Sequence, residues 1–297
     1  MLNIKEIKSV KLTPFTKMSA SIYGILGFIG AILMLIVLSI VQAAGVTSQL
    51  GPQFAHFNLI TGLGIPLVIL LPIGAFFTTI AVSFFSVMLY NALVPRLGGV
   101  KLELEGKEVQ KIPVVSFALI LSAIGAIWAF IAGLVLAAVV SPLFSLISTL
   151  PEASNITANI TNVSGAAMPS GVNFGSMGII VTLLLVIGLP ILAFVFGFIW
   201  NALFALIYNY ISTRVAKINL EFNQITGQHF EITHIPVIPT ALAVSITYAI
   251  LGLLGILSGD FTQFISNFVL YFIETALIAY FYNYLAPKIG SIKLDLD

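Results

Sequence analysis

The sequence predicts an all-α membrane protein: six transmembrane helices, arranged as three tandem helical hairpins with pseudo-threefold symmetry, plus a small cytoplasmic β-cap. Three observations lead to this fold. The composition is too apolar for a water-soluble domain, six apolar stretches are long enough to cross a membrane, and one segment occurs three times along the chain.

The composition places the chain in the membrane. Apolar residues make up 59% of the 297 residues, charged residues only 8%, and the mean hydropathy is +1.13. Such a chain has membrane lipids as its first partners, and we expect no nucleic acid among them. There is no cysteine, which excludes disulfides, thiolate metal sites and a cysteine nucleophile.

Six stretches reach the length of about 20 helical residues that a hydrocarbon core requires. They are residues 19–43, 65–93, 114–140, 179–211, 237–257 and 261–285. We expect kinks at Pro66, Pro72 and Pro190, because a missing amide bends a helix without expelling it from lipid. The first stretch is too long for a signal peptide, and we interpret it as a retained helix.

The repeated segment begins with a Tyr-Asn pair at the end of every second span. Its three copies align without gaps and start at Tyr90-Asn91, Tyr208-Asn209 and Tyr282-Asn283. A proline after a short polar stretch opens each pair of spans, at Pro14, Pro113 and Pro236. The chain therefore divides into three units, 1–105, 106–223 and 224–297, of which the second has a long outer loop over 141–178.

The charges predict the orientation. All twelve Lys and Arg lie in segments on one side of the predicted spans, so the positive-inside rule places both termini in the cytoplasm of a multi-pass cell-membrane protein. The long outer loop carries three glycosylation sequons, at Asn155, Asn159 and Asn162. This loop and the absence of cysteine would suit an archaeal envelope.

Segments on the basic side alternate with period two, as half-buried strands do. Leu102 and Leu104 alternate with Lys101 and Glu103, for example. Hairpins are predicted where a second strand follows a turn, over 108–112 and 230–235, and Gly98-Gly99 is placed to end the preceding helix. The first strand, 7–12, and the last have no neighbour in sequence, so we expect them to pair and close a ring.

Taken together, these features resemble a known family. A basic strand, a proline, two membrane helices and a Tyr-Asn exit into Gly-Gly and an alternating strand resemble a family of membrane domains of unknown function described from actinobacteria. The likeness is strongest at Tyr90-Asn91 with Gly98-Gly99-Val100, and the chain departs from it at Ala216-Lys217 and Gly290-Ser291. The resemblance implies a fold and a membrane location, here in three copies, but no chemistry.

Glu274 is the one ionisable group deep within a predicted span, which makes it a functional candidate. It can serve as a proton or cation site. Alternatively, it is a protonated carboxyl group hydrogen-bonded to Tyr271, Thr247 or Tyr248, and the lack of a basic partner favours this interpretation.

Ser83, Asn201 and Thr275 occupy matching positions in the three units. They can form a polar layer around the pseudo-axis, as an ion path or, more simply, as interhelical hydrogen bonding. The Tyr-Asn pairs could recognise a lipid headgroup, but anchoring by Tyr at the interface and capping of a helix end by Asn are the simpler interpretations.

No catalytic pattern is present in the sequence. His56 is predicted outside the membrane, and His229 and His234 lie five residues apart on a predicted strand, so they form no metal site. Without a triad, paired carboxylates or a phosphate loop, we expect neither an enzyme nor a cofactor.

Two functions remain. Three helix pairs in a chain of this length resemble the mitochondrial carriers, but Pro142 is followed by Leu143 and Phe144 rather than by the charged signature of that family. Another channel or transporter, using Glu274 and the polar layer, stays open. We favour a scaffold or assembly subunit of a cell-envelope complex, because apolar outer loops need a covering partner such as an envelope or surface protein.

Overall fold

The computed structural model describes residues 3–45, 58, 60–148, 174–253 and 262–297. The described chain contains six helices, which we label α1 to α6. Their bounds are Leu12–Ala43 (α1), Ile65–Leu97 (α2), Val114–Ser148 (α3), Phe174–Leu183 continuing through a π-helical turn into Leu189–Tyr210 (α4), Val237–Gly252 (α5) and Thr262–Ile289 (α6).

Five helices are long and apolar enough to cross a membrane, consistent with a multi-pass membrane protein. These are α1, α2, α3, α4 and α6. The sixth predicted span is shorter among the described residues: α5 has 16 residues, or about 24 Å at 1.5 Å per residue. The rest of that predicted span continues into residues outside the described ranges.

The helices begin or end at other residues than the predicted spans, although prolines were expected to mark where helix pairs start. α1 begins at Leu12, so Pro14 lies in its first turn, where its missing amide costs no hydrogen bond. Pro95, Pro142 and Pro287 likewise lie inside helices, toward their carboxyl ends. The helices therefore extend beyond the apolar windows that predicted them.

Two of the predicted kink sites follow π-helical turns. One such turn, Ile60–Gly64, comes before Pro66, and another, Leu184–Gly188, comes before Pro190. A proline cannot donate to the carbonyl four residues earlier, and a π turn shifts the hydrogen-bond register at that place. The third site, Pro72, lies inside α2.

The strands form one antiparallel six-stranded sheet. We label them β1 to β6: Asn3–Val10, Lys101–Glu105, Glu108–Lys111, Glu221–Thr226, His229–His234 and Lys293–Leu296. Their order across the sheet is β3-β2-β1-β6-β5-β4. The predicted hairpins β2–β3 and β4–β5 are present, with Gly106 and Gly227 at positive φ in their turns.

The first and last strands pair, as predicted. Val10 lies opposite Leu294, and Ile7 opposite Leu296. The first strand runs over Asn3–Val10 rather than the predicted 7–12, because α1 begins sooner than expected. Pairing buries Leu294 and Leu296 almost completely, so the apolar row of the last strand is covered.

The outer edges of the sheet are also joined. The amide of Val109 on β3 donates to the carbonyl of Ile218 at 2.8 Å, and the amide of Leu220 donates to the carbonyl of Lys107 at 2.8 Å. Residues 218–220 lead directly into β4. The six strands thus form a closed ring of backbone hydrogen bonds.

The chain separates into two compact units. One comprises residues 1–117 and 203–297, with the whole sheet, and the other comprises residues 118–202. Within the first unit, α1 packs on α2 and α5 on α6, and a Cβ at Gly27 would lie 2.9 Å from the Ala75 side chain. Within the second, a Cβ at Gly133 would lie 2.0 Å from the Leu185 carbonyl oxygen. Small residues therefore let both helix pairs approach closely.

Candidate functional sites

The Tyr-Asn pair at the end of α2 ties that helix to the sheet. The Tyr90 hydroxyl donates to the carbonyl of Ile7 at 2.7 Å and accepts from the amide of Val100 at 3.0 Å. The Asn91 side chain accepts from the amide of Val10 and donates to its carbonyl, both at 2.9 Å. We call this set of four hydrogen bonds a clamp.

A second clamp has the same geometry at the end of α4. The Tyr208 hydroxyl donates to the carbonyl of Val109 at 2.6 Å and accepts from the amide of Ile218 at 3.0 Å. The Asn209 amide group exchanges two hydrogen bonds with the backbone of Ile112, both at 2.8 Å. Each of these two clamps thus joins a residue two positions before the first helix of a pair to the end of the second helix of that pair.

A third clamp lies at the end of α6. The Tyr282 hydroxyl donates to the carbonyl of Ile232 and accepts from the amide of Ile292 at 3.2 Å. Asn283 exchanges two hydrogen bonds of 2.8 Å with the backbone of Ile235.

The clamps correct our interpretation of the motif. Tyr208 and Tyr282 are at most 1% exposed and Tyr90 is 8% exposed, and every hydroxyl is occupied by backbone groups. The tyrosines are therefore not interfacial anchors, and the asparagines bind strand ends rather than cap their own helices.

The clamps also set the register between the three copies. Asn91, Asn209 and Asn283 bind Val10, Ile112 and Ile235, so these three residues are equivalent. Pro113 and Pro236 then correspond to Lys11, not to Pro14 as the sequence suggested. Pro14 corresponds instead to Pro239, which also lies in the first turn of its helix.

This register reveals a glutamate that sequence reasoning missed. Glu6, Glu108 and Glu231 each stand just before the residue whose carbonyl binds the clamp tyrosine. Glu6 accepts from the amide of Gly99 at 2.8 Å, whereas Glu108 accepts from the ammonium group of Lys217 at 2.8 Å. The pattern Glu, Ile or Val, two residues, Ile or Val occurs before each helix pair and could have been found by aligning backward from the helices.

Glu274 lies on α6 with its side chain exposed. Tyr248 of α5, one of its predicted partners, stacks on Tyr271 with ring centroids 3.8 Å apart. The structure shows no hydrogen bond from Glu274 within the described ranges. Thr247, one of the predicted partners, is bonded instead to Ser212 at 2.8 Å and to the carbonyl of Ala243 at 2.7 Å.

Two of the three residues of the predicted polar layer form hydrogen bonds within their own helices. Ser83 donates to the carbonyl of Thr79 at 2.5 Å, and Asn201 donates to that of Gly197 at 2.8 Å, each within its own helix. Thr275 is half-buried. Ser83 and Thr275 belong to one compact unit and Asn201 to the other, so the layer stays a prediction.

Ser83 also lines a cleft of about 410 Å³ between α1 and α2. Several hydroxyl groups share this cleft, among them those of Ser19, Tyr23 and Thr79.

Among the described residues, no group of three or more His, Asp or Glu side chains is placed to hold a metal ion. His229 contacts Asp295, and His234 lies 3.9 Å from a carboxylate oxygen of Glu221. Burial alone would raise the pKa of Asp295, but hydrogen bonds from Ser9, Lys11 and His229 lower it to about 2. His56 and the sequons at Asn155, Asn159 and Asn162 lie outside the described residues.

No protein-family model matches the chain, and no curated protein or solved structure is significantly similar to it. The resemblance to the actinobacterial membrane domains therefore stays an interpretation of the sequence.

Proposed function

We propose that this protein is a non-enzymatic integral membrane scaffold, an assembly subunit of a cell-envelope complex. The observation that carries the proposal is the use of the repeated motif. All three Tyr-Asn pairs are bound to backbone groups in or directly beside the strands, so the most repeated polar residues of the chain hold the architecture together and are not free to bind a substrate.

Three tandem units form the scaffold, each with a strand, a helical hairpin, a clamp and a second strand, in a pseudo-threefold arrangement. The three equivalent clamps and the three equivalent glutamates support this internal repeat. The helical hairpins cross the cell membrane, and the ring of strands links the units at one end.

The sheet and both termini lie in the cytoplasm in this proposal. The support is the basic side of the sequence, because the sheet and its adjoining helix ends hold the described Lys and Arg. The chain has no native cysteine, so single cysteines report topology cleanly. Cysteines at Lys107 and Gly227 should resist an impermeant reagent in intact cells, and one at Ser154 should react. Labelling of the cysteine at Lys107 in intact cells would show that the sheet lies outside the cell and would contradict the proposed orientation.

The outer loops contact an envelope or surface protein in this proposal. A photo-crosslinking residue at Ser154 should give one adduct of discrete mass in native membranes and none in liposomes holding only the purified protein. The same residue at Lys107 serves as the control on the opposite side. A chain that stays uncrosslinked at Ser154 and is monomeric by native mass spectrometry would contradict the scaffold. Loss of mass on changing Asn155, Asn159 and Asn162 to Gln would show that the sequons are glycosylated.

Transport is the second candidate, favoured by the hydroxyl-lined cleft at Ser83 and by Glu274. Proton or cation flux into liposomes would support it if Glu274→Gln abolished the flux and Glu231→Gln, on the sheet, left it unchanged. We expect no flux from the parent protein.

A further inference from the structure

A groove on one face of the α1–α2 pair has a charged end and is apolar along the rest of its length. The charged end, about 340 Å³, lies at the start of α1 and is lined by Thr13, Thr16 and Lys17 together with Ile80 and Phe84 of α2. Phe76 also lines an adjoining apolar cavity of about 600 Å³, which reaches Phe28. From Leu12 to Phe28, α1 rises about 24 Å, enough to follow an acyl chain through one leaflet of about 15 Å.

Among the buried helical hydroxyl groups of the described chain, that of Thr16 is an exception. Thr16 is only 9% exposed, and its Oγ1 has no hydrogen-bond partner in the described chain. The buried helical hydroxyls of Ser83, Ser122 and Thr247, in contrast, each donate to a carbonyl three or four residues earlier. An unpaired buried hydroxyl is costly, so a rotamer that brings this one to an acceptor is favoured.

The charge beside Thr16 is positive and uncompensated. Six lysines of the described chain form ion pairs with carboxylates: Lys8, Lys11, Lys101, Lys107, Lys111 and Lys217. Lys17 forms no such pair within the described chain, and the lining of the charged end of the groove includes no acidic residue. The amino-terminal end of α1 adds the positive end of a 32-residue helix.

The other two units show that the fold itself does not require these side chains. With Val10, Ile112 and Ile235 equivalent, Thr16 corresponds to Ala118 and Ala241, and Lys17 corresponds to Leu119 and Leu242. Both alanines are fully buried. The hydroxyl and the ammonium group are therefore additions made in the first unit alone.

We propose that this groove binds one anionic phospholipid, with the phosphate at Thr13, Thr16 and Lys17 and one acyl chain along Ile80, Phe76 and Phe28. A change of χ1 rotamer, between two states that helical threonine populates, turns the Thr16 hydroxyl toward the phosphate. Lys17 supplies the charge-assisted bond. This proposal does not depend on whether the protein is a scaffold or a transporter.

The test is native mass spectrometry of the full chain in detergent, titrated with phosphatidylglycerol or with phosphatidylcholine of the same acyl chains. We expect one phosphatidylglycerol to bind with preference over phosphatidylcholine. The double variant Thr16→Ala with Lys17→Leu copies the other units, so it should fold, and we expect it to lose about tenfold or more of that preference. Lys17→Gln is a milder second variant.

Two controls separate a built site from general attraction to basic protein. Lys288→Leu removes a lysine that lies over the Tyr284 ring on α6, away from the groove, and should leave binding unchanged. Ile80→Trp fills the groove without changing charge and should weaken binding of phosphatidylglycerol. Equal losses in the Lys288 and Lys17 variants, no loss in the double variant, or inorganic phosphate competing as strongly as the lipid would each overturn the proposal.

Discussion

The first and second clamps make the same four hydrogen bonds over different backbone paths. α2 continues to Leu97 and ends at Gly98, whose φ is +80°. α4 ends at Tyr210 and is followed by a 3-10 turn, Ser212–Arg214, while Ala216 stands where Gly98 would be. Because an L side chain disfavours positive φ, the second path unwinds sooner. The four hydrogen bonds are thus the same in both clamps, whereas the backbone at the end of the helix differs.

The partner of the glutamate differs with the path. Gly99 lets its amide reach Glu6, and a Cβ there would lie 2.2 Å from the Ile7 carbonyl oxygen. In the second clamp the equivalent residue is Lys217, which reaches Glu108 through its ammonium group. A backbone donor in one copy is replaced by a side-chain donor in the other, and the carboxylate is satisfied in both.

The largest expected effect tests what the two clamps share. Asn91→Ala and Asn209→Ala each remove two hydrogen bonds and leave strand-end backbone groups unpaired, so each should lower the free energy of unfolding by about 2–4 kcal/mol. Denaturant unfolding in detergent measures it. Asn223→Ala, on β4, is the matched control and should change little. If only one of the two clamp variants is destabilised, the clamps are not equivalent.

The next effect tests where the clamps differ. Gly99→Ala places a methyl group against the backbone of β1 and should cost about 1–3 kcal/mol. Lys217→Ala removes only a partly exposed ion pair, for which about 0.2–1 kcal/mol is expected. Both are read from the same unfolding curves. Equal costs would mean that the two exits are not built differently.

The tyrosine hydroxyls should give a graded pair of smaller effects. Tyr208→Phe and Tyr90→Phe keep the ring and remove one donor and one acceptor, at about 1–2 kcal/mol each. Tyr208 is fully buried and Tyr90 is 8% exposed, so the Tyr208 variant should be the less stable. Thermal midpoints of the two variants compare them directly. Water can reach the partly exposed Tyr90 site and replace the lost hydrogen bonds. If the Tyr90 variant were the less stable of the two, water would not compensate for that loss.

The smallest effect is a dependence on pH at the first clamp. The hydrogen bond from the Gly99 amide, aided by Lys8 and Lys101, lowers the pKa of Glu6 below its ordinary 4.5. A lowered folded-state pKa stabilises the fold above the unfolded pKa, and this stabilisation is lost as pH falls below about 4.5. Glu6→Gln should therefore flatten the decline of the thermal midpoint on acidification. An unchanged pH profile would mean that Glu6 is not held as a carboxylate.

Much of the fold was predictable because it depends on local pattern. Hydropathy indicated the membrane helices, since a spanning helix needs a long apolar run whatever it packs against. Alternation with period two indicated the strands, and the unpaired apolar row near Leu294 and Leu296 correctly indicated that the chain ends pair. Turn glycines indicated both hairpins and the end of α2.

The roles of the clamp residues were decided by tertiary structure. The sequence by itself showed that Tyr and Asn recur, but Tyr90 acts on Ile7 and Val100, and the contact with Ile7 spans 83 residues. No helical or strand period records such a contact, so anchoring and capping were the wrong interpretations. The register that relates Lys11 to Pro113, the equivalent glutamates and the unpaired hydroxyl of Thr16 depend in the same way on which backbone groups meet. Local composition determined the elements of this protein, and long-range hydrogen bonds to backbone groups determined how they are joined.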